Sequence, residues 1–507
     1  MDAATGHQQF VDVLIVGAGI SGIGAAYYLQ RDHPGRRYLI VEARGASGGT
    51  WDLFRYPGVR SDSDLHTFGY EFRPWRSDTA IASGDSILDY LRETAAEHGI
   101  SGNIRYHTTV TAASWSSSDA RWTVTVQDAA TGASSVILCN WLLCAAGYYR
   151  YDEGFTPRFK GRERFAGPVV HPQHWPDALD YAGKRVVVIG SGATAVTLIP
   201  ALAQTAAHVT MLQRTPSYVL PVPSRDAVNA RLTAWFGAER GYAMTRWVNS
   251  TRQVLVWRLC RRYPNVARRL IRNLNKKMLP EYYPVDEHFN PPYSPWDQRM
   301  CIVPDGDLFH AIREGKASVV TGHIETFTED GVQLIDGRRL EADIIVTATG
   351  LNVRALGGIA LTVDGSPVSV PDHFVYKGMM LSGVPNFVFV FGYTNASWTL
   401  KVGPLCGHLS RLLSYMDSRG YDTARPVPSD PGMTARPFTD FASGYIRRAL
   451  GQLPRQGSRA PWRISPTHRA DARMLRRRVD GPEMVFSSAV ADGPASGSAE
   501  GVRAGHG

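Results

Sequence analysis

Two apolar strands, each followed at once by a glycine-rich turn and an alanine-rich helix, predict an α/β protein with two Rossmann-like dinucleotide-binding domains. A basic, helix-patterned stretch from about Ser224 to Pro295 carries no third glycine turn and reads as a helical insertion. The 507 residues are 44% hydrophobic and 20% charged, enough to bury two cores. The two turns and the basic stretch divide the chain into a first nucleotide fold up to residue 147, a second from 148, and the insertion at 223–295. The end of the chain, 481–507, is rich in Gly, Ala and Ser and is expected to be disordered.

In the first domain, Val11–Val16 has the length of a buried strand. Gly17-Ala-Gly19-Ile-Ser21-Gly22 follows, and a helix is predicted over Ile23–Gln30. Gly17 permits a tight turn, Gly19 lets backbone approach a pyrophosphate, and Gly22 lets helix and strand pack closely. A second strand, Tyr38–Val41, ends in Glu42. Its carboxylate stands about 20 residues beyond the turn, where it can accept from a ribose diol. Gly48 to Asp62 is read as a loop, because Gly and Pro punctuate it. A helix is expected over Ser86–His98, and strands over Ile104–Val110, Trp122–Gln127 and Trp141–Gly147.

The second domain opens on Arg185–Ile189 and Gly190-Ser191-Gly192-Ala193-Thr194-Ala195-Val196, with Ala in the place of the third glycine. A helix is predicted over Thr194–Thr205 and a strand over His208–Gln213. Arg214 and Thr215 then stand where the first domain has its acid. A guanidinium pairs with a 2′-phosphate that a carboxylate would repel, so the site suits NADPH and the Glu42 site suits FAD. The plain alternative for Arg214 is a surface charge at a strand end. Leu220-Pro-Val-Pro223 should break regular structure. In the insertion, Trp247, Val254, Leu255, Trp257 and Leu259 are expected to pack on the domain beneath, with cover of a substrate channel as the alternative. Arg299 is the one arginine in the segment Pro295–Pro304. Strands are further expected over Asp343–Gly350 and Val388–Val390.

Two spacings carry a resemblance. Phe165, Gly167, His171, Trp175 and Pro176 read F-x-G-x-x-x-H-x-x-x-W-P between the two domains. Gly48, Gly49, Trp51, Tyr56, Pro57, Gly58 and Asp62 read G-G-x-W-x-x-x-x-Y-P-G-x-x-x-D. Both resemble signatures of the Baeyer–Villiger monooxygenases, flavoenzymes that insert oxygen beside a carbonyl. The resemblance extends to about Arg463, and it implies that the chain crosses back after Asp343–Gly350, giving a discontinuous FAD domain (1–147 and 348–470) and an NADPH domain (148–222 and 296–347). It implies that Thr50, Trp51, Asp52, Leu53, Arg60, Ser61 and Asp62 touch FAD, that Val110 lies near its adenine, and that Gly392–Lys401 aims a helix N-terminus at it. It implies that Arg299 is the active-site arginine and that Asp62 orients it. The implied reaction converts ketones to esters or lactones with O2 through a C4a-peroxyflavin, with sulfur of thioamides or thioethers as further substrates. An N- or S-oxygenating flavin monooxygenase using a hydroperoxyflavin is the alternative. A non-catalytic NADPH-binding regulator is another, and would need a broken site. His171 is either a hinge residue coupling domain closure to catalysis or a buried, satisfied histidine.

Five cysteines without a Cys-x-x-Cys pair exclude a disulfide framework and a dithiol flavin reductase. No signal segment and no bilayer-spanning apolar run is visible, so a cytoplasmic location is expected. No metal site and no nucleic-acid partner is expected. The net charge of +9 is uneven: Gly241–Pro280 holds ten Lys or Arg and no Asp or Glu. That run reads as a solvated helical face, with peripheral contact to an anionic membrane or to cofactor phosphates left open. Nothing in the sequence sets an oligomeric state.

Overall fold

The computed structural model describes residues 9–393, 395–439 and 443–489. Residues 490–507 of the expected tail, and Thr394 within Gly392–Lys401, lie outside them.

Alternate residues of the first strand, Gln9–Val16, enter opposite cores: Val13 and Ile15 on one face, Leu14 and Val16 on the other. A strand buried on both faces needs this unbroken apolar run. It lies parallel to Tyr38–Val41 on one side and to Ser134–Cys144 on the other. The last of these is long enough to serve two partners. Its first half pairs antiparallel with Arg121–Asp128, and its end pairs parallel with Phe387–Phe389. The resulting nine-stranded sheet joins a parallel dinucleotide fold to an antiparallel meander. Helices Ile20–Asp32 and Thr399–Arg419 share the core on one face.

The second sheet has five strands, all parallel, in the order Ala317–Thr321, His208–Gln213, Arg185–Ile189, Ile344–Thr347, Val169–Val170. Its outermost strand belongs to the Phe165–Pro176 stretch, so this connector is built into the second sheet. His171 follows directly. Its Nε2 donates to the Gly350 carbonyl at 3.0 Å and its Nδ1 accepts from the Gln173 N–H. Gly154 packs against the ring so closely that a Cβ there would collide with it. His171 thus touches both segments that run between the two sheets. Burial lowers its pKa, which keeps the ring neutral.

Several expectations are corrected. Thr50–Leu53 is one helical turn, not loop, because Gly48 (φ +122°) and Gly49 (φ +58°) turn the chain and aim Asp52 inward. Ile104–Val110 is not one strand: His107 (φ +52°) breaks it into Ile104–Arg105 and the start of Thr108–Ser116, in different parts of the sheet. Val219–Val222 is a strand despite its proline, paired parallel with Cys301–Pro304. An isolated two-stranded ribbon has free edges, where a missing N–H costs little. Within the expected tail, Met484–Ser487 is a strand paired with Thr423–Pro426, so the expected disorder fails there. The insertion forms Ala227–Phe236, Ala238–Arg262, Pro264–Met278 and Val285–His288. There Trp247, Leu255 and Leu259 are exposed, so packing on the domain beneath fails for them. Among the described residues no helix is long and apolar enough to cross a membrane.

His408, buried in helix Thr399–Arg419, makes the fold acid-sensitive. Its Nδ1 donates to the Leu475 carbonyl at 2.6 Å and its Nε2 accepts from Lys377 at 3.4 Å. Burial, then the Lys377 cation, pushes its pKa down to about 3. An unfolded histidine takes a proton near pH 6.5, and the folded one refuses it until about pH 3. Stability is therefore full above about pH 6.5 and lost as pH falls through that window, by up to about 1.4 kcal/mol per unit. Urea midpoints should fall on acidification, and fall less for His408→Gln. Equal slopes would remove His408 as the cause.

Candidate active site

The first glycine turn is shaped by contacts that exclude side chains. A Cβ on Gly17 (φ +102°) would lie 2.8 Å from Ala145 O, and one on Gly22 would collide with Gly17 O. Gly19 caps the following helix without a side-chain acceptor, so the helix keeps open N–H groups. The Gly49 and Gly19 backbones approach closely: a Cβ on Gly49 would lie 3.2 Å from Gly19 Cα. Glu42 is buried and accepts from Ala18 N at 2.7 Å and Arg44 N at 2.9 Å. Burial raises its pKa, and those two donors oppose the rise. Each carboxylate oxygen retains acceptor capacity. Val110 has its side chain in the core; nearby, Thr108 N–H donates to Glu42 O.

The segment 48–62 joins the two sheets. Thr50 Oγ1 meets Tyr151 OH at 3.2 Å, and Trp51 packs edge-on against Phe68. The Asp52 carboxylate is taken up by Arg44 (2.5 Å), Arg92 (2.8 Å) and Arg55 (3.3 Å), and its backbone carbonyl also accepts from Arg44 and Arg55, so the residue anchors the turn. Leu53 is buried. Tyr56 enters the core of the second domain, with Thr194 beside its hydroxyl. Gly58 (φ +75°) sits where a Cβ would be 2.8 Å from Thr197 O. The Arg60 side chain pairs with Asp307 of the second domain's helix Asp307–Arg313. Ser61 is buried with an unpartnered hydroxyl. The tyrosine and the last glycine of the signature thus seat this segment on the helix of the second glycine turn.

That turn repeats the first. Gly190 (φ +138°) abuts Ala348 O, and nothing stands within 4 Å of a Cβ built on Gly192, leaving the N-terminus of helix Ala193–Leu202 open. Ser191 Oγ donates to Thr215 O at 3.1 Å. Ala195 and Val196 are buried against the sheet, while Ala193 and Arg214 are exposed. Arg214 has no ion-pair partner among the described residues.

Asp62 and Arg299 meet between the two turns. Arg299 donates from Nη2 to Asp62 Oδ1 at 2.9 Å, and its Nε lies 2.7 Å from Oδ2 as an ion pair, a two-point contact. Burial alone would lower the arginine pKa; Asp62, Tyr445, Tyr148 and Tyr149 outweigh it and hold the guanidinium charged. Two residues on, Cys301 Sγ contacts Ser191 O at 3.6 Å, which ties the arginine to the second turn. On the other side, Tyr148 stacks on Trp398 (centroids 5.4 Å), and Trp398 Nε1 donates to Ser21 Oγ at 2.7 Å. The helix expected to begin within Gly392–Lys401 therefore starts at Thr399, beside the first glycine turn.

Sequence reading missed Tyr148, Tyr149, Tyr445 and Trp398 as walls of this site. A pair of tyrosines directly after the strand-ending Gly147 was a usable signal; Tyr445, from a distant helix, left none. It also missed a buried cluster nearby. Lys401 Nζ pairs with Asp471 Oδ2 at 2.9 Å, and Tyr393 OH donates to the same oxygen at 2.5 Å. Asp471 Oδ1 has no hydrogen-bond partner. All three line a cavity of about 210 Å³ with Trp257, Trp296 and Phe391, and Phe391 packs on Tyr148 at 5.0 Å.

Two glycine turns of the dinucleotide-binding type flank one arginine–aspartate pair. The comparisons name the class. The flavin-binding monooxygenase-like family profile matches residues 80–355, and an NAD(P)-binding Rossmann-like profile matches 15–77. The FAD-containing monooxygenase EthA of Mycobacterium tuberculosis is 51% identical over 94% of this chain and 98% of its own. The probable FAD-binding monooxygenase AlmA of Acinetobacter baylyi is 46% identical over 92% and 94%. Among solved structures, an oxidized steroid monooxygenase bound to NADP superposes with a TM-score of 0.76 at 22% identity, over 95% of this chain and 100% of that one. An open cyclohexanone monooxygenase gives 0.75 at 22% identity over the same shares. The chain belongs to the FAD-containing, flavin-binding monooxygenase-like family. It is a flavin monooxygenase with two Rossmann-like domains.

Proposed function

We propose that the chain is an FAD- and NADPH-dependent Baeyer–Villiger monooxygenase that converts ketones to esters or lactones, with thioethers and thioamides as further substrates. The observation that carries this is the two-point Arg299–Asp62 pair between the two glycine turns. The cofactors fit the residues present. The side-chain-excluding first turn, Glu42 and the unpartnered Ser61 hydroxyl suit FAD, and the open Gly192 turn with Arg214 suits NADPH. FAD reduced by NADPH supplies the two electrons by which one atom of O2 enters the substrate and the other leaves as water.

The balance is ketone, O2, NADPH and a proton to ester, NADP⁺ and water. Insertion beside a carbonyl passes through negative charge on the carbonyl oxygen. A guanidinium fixed beside the reacting carbonyl would stabilise that charge without reorganisation, an effect of about 3–4 kcal/mol for one such donor. Asp62 holds the arginine in place by one hydrogen bond and a second ion-pair contact. Tyr148, Tyr149 and Tyr445 stand beside the charge, and the pair keeps about a third of its surface open on the side a substrate would enter.

The testing assay follows NADPH use by the FAD-loaded protein with and without 2-dodecanone, with product mass determined. Ester formed in step with NADPH use supports the reading. Only hydrogen peroxide with the ketone, but sulfoxide from a thioether, would replace it by S-oxygenation. At the second turn, Arg214→Ala should raise the KM for NADPH about 10- to 100-fold and leave that for NADH unchanged, as expected for a lost charged hydrogen bond of about 1.5–3 kcal/mol. Equal effects on both nucleotides would overturn the 2′-phosphate role.

A further inference from the structure

The insertion presents an unusual surface. Among the described residues, eleven of the thirteen exposed large apolar side chains lie between Trp235 and Tyr282. On helix Ala238–Arg262, Met244, Trp247, Leu255 and Leu259 recur at helical spacing and share one side. Trp235 (74% exposed) and Trp247 (63%) project into solvent, not into a groove. A patch of this extent on a solvent-facing surface marks an interaction site. Its charge is one-sided, because Gly241–Pro280 contains ten Lys or Arg and no acid. Arg261 and Arg272 are paired, with Asp297 and Asp286. Arg252, Arg258, Arg269 and Lys277 are exposed and have no ion-pair partner among the described residues.

We propose that this helical face docks on an anionic lipid bilayer surface. Apolar side chains between unpaired cations match an interface in which rings and aliphatic groups enter the headgroup boundary while arginines meet phosphates. A second copy of the chain fits poorly, since a two-fold interface would set the cationic face against itself. The helix also lends Trp257 and Arg261 to the cavity beside the candidate active site, so the docking face and the cavity share one element. The inference is independent of the reaction assigned above.

The test uses full-length, FAD-loaded protein sedimented with vesicles of phosphatidylcholine alone or of equimolar phosphatidylcholine and phosphatidylglycerol. Binding is expected to the anionic vesicles, to weaken with salt, and to be about tenfold or more weaker without phosphatidylglycerol. Trp247→Ser/Leu255→Ser/Leu259→Ser should lose at least about tenfold in affinity, and Arg252→Glu/Arg258→Glu/Arg269→Glu about a hundredfold or more. Flavin content, unfolding midpoint and NADPH oxidation in solution should be unchanged in both, which separates lost docking from lost folding. No binding to the anionic vesicles, or variants that bind like the parent, would overturn the proposal. Conversion of an oligomer to monomer by the serine variant, without lipid binding, would overturn it by giving the face to a second copy.

Discussion

Arg299→Ala is expected to lose ester formation by about 100- to 1000-fold while NADPH still reduces the flavin at close to the parent rate. The variant should fold. The side chains of Arg299 and Asp62 are 32% and 37% exposed, and a pair so open to solvent adds little stability. What the substitution removes is the fixed positive charge that would face a developing oxyanion. NADPH consumption should therefore continue, with hydrogen peroxide in place of ester. Arg299→Lys should recover only part of the loss, because a single ammonium cannot hold the two-point contact with Asp62. Stopped-flow flavin reduction and product mass together decide the matter. Equal loss of reduction and oxygenation would make Arg299 a nucleotide-positioning residue instead. Unchanged ester formation would remove it from the chemistry.

Asp471→Ala is expected to lower stability by about 3–5 kcal/mol, the largest effect of any single substitution considered. Lys401 and Asp471 are 3% and 1% exposed, so loss of the carboxylate strands an ammonium in the interior. Its remaining contact is the Lys377 carbonyl at 3.3 Å, and Tyr393 loses its acceptor as well. Replacing both charges, as in Lys401→Met/Asp471→Leu, should restore most of the loss, because the desolvation cost leaves together with the attraction. Denaturant midpoints of the two single variants and the double variant test this. A single variant within about 0.5 kcal/mol of the parent would mean that the cluster relaxes or admits water. A double variant no better than the single would shift the cause from charge to packing.

The two glycine turns were legible because everything that makes them lies within about thirty residues of chain. The strands Tyr38–Val41, Arg185–Ile189 and His208–Gln213 have the bounds their apolar patterns predict. Local turn chemistry was harder. Gly48 and Gly49 suggested loop, yet their positive φ values turn the chain into a helical turn whose Asp52 satisfies three arginines. His107 broke a strand through a conformation that no pattern of hydrophobicity signals.

By itself the sequence determined the α/β class, the paired nucleotide turns and the difference between Glu42 and Arg214, since each depends on neighbours along the chain. The resemblance set Asp62 beside Arg299, 237 residues away, but only the tertiary structure decided that Tyr148 and Trp398 wall the site, and that Lys401 and Asp471 are buried together. It also decided that Trp247, Leu255 and Leu259 face water, although their spacing suits a buried face equally well. A repeating pattern states that side chains share one side of a helix. Whether that side meets a core or the solvent depends on what the rest of the chain packs against it.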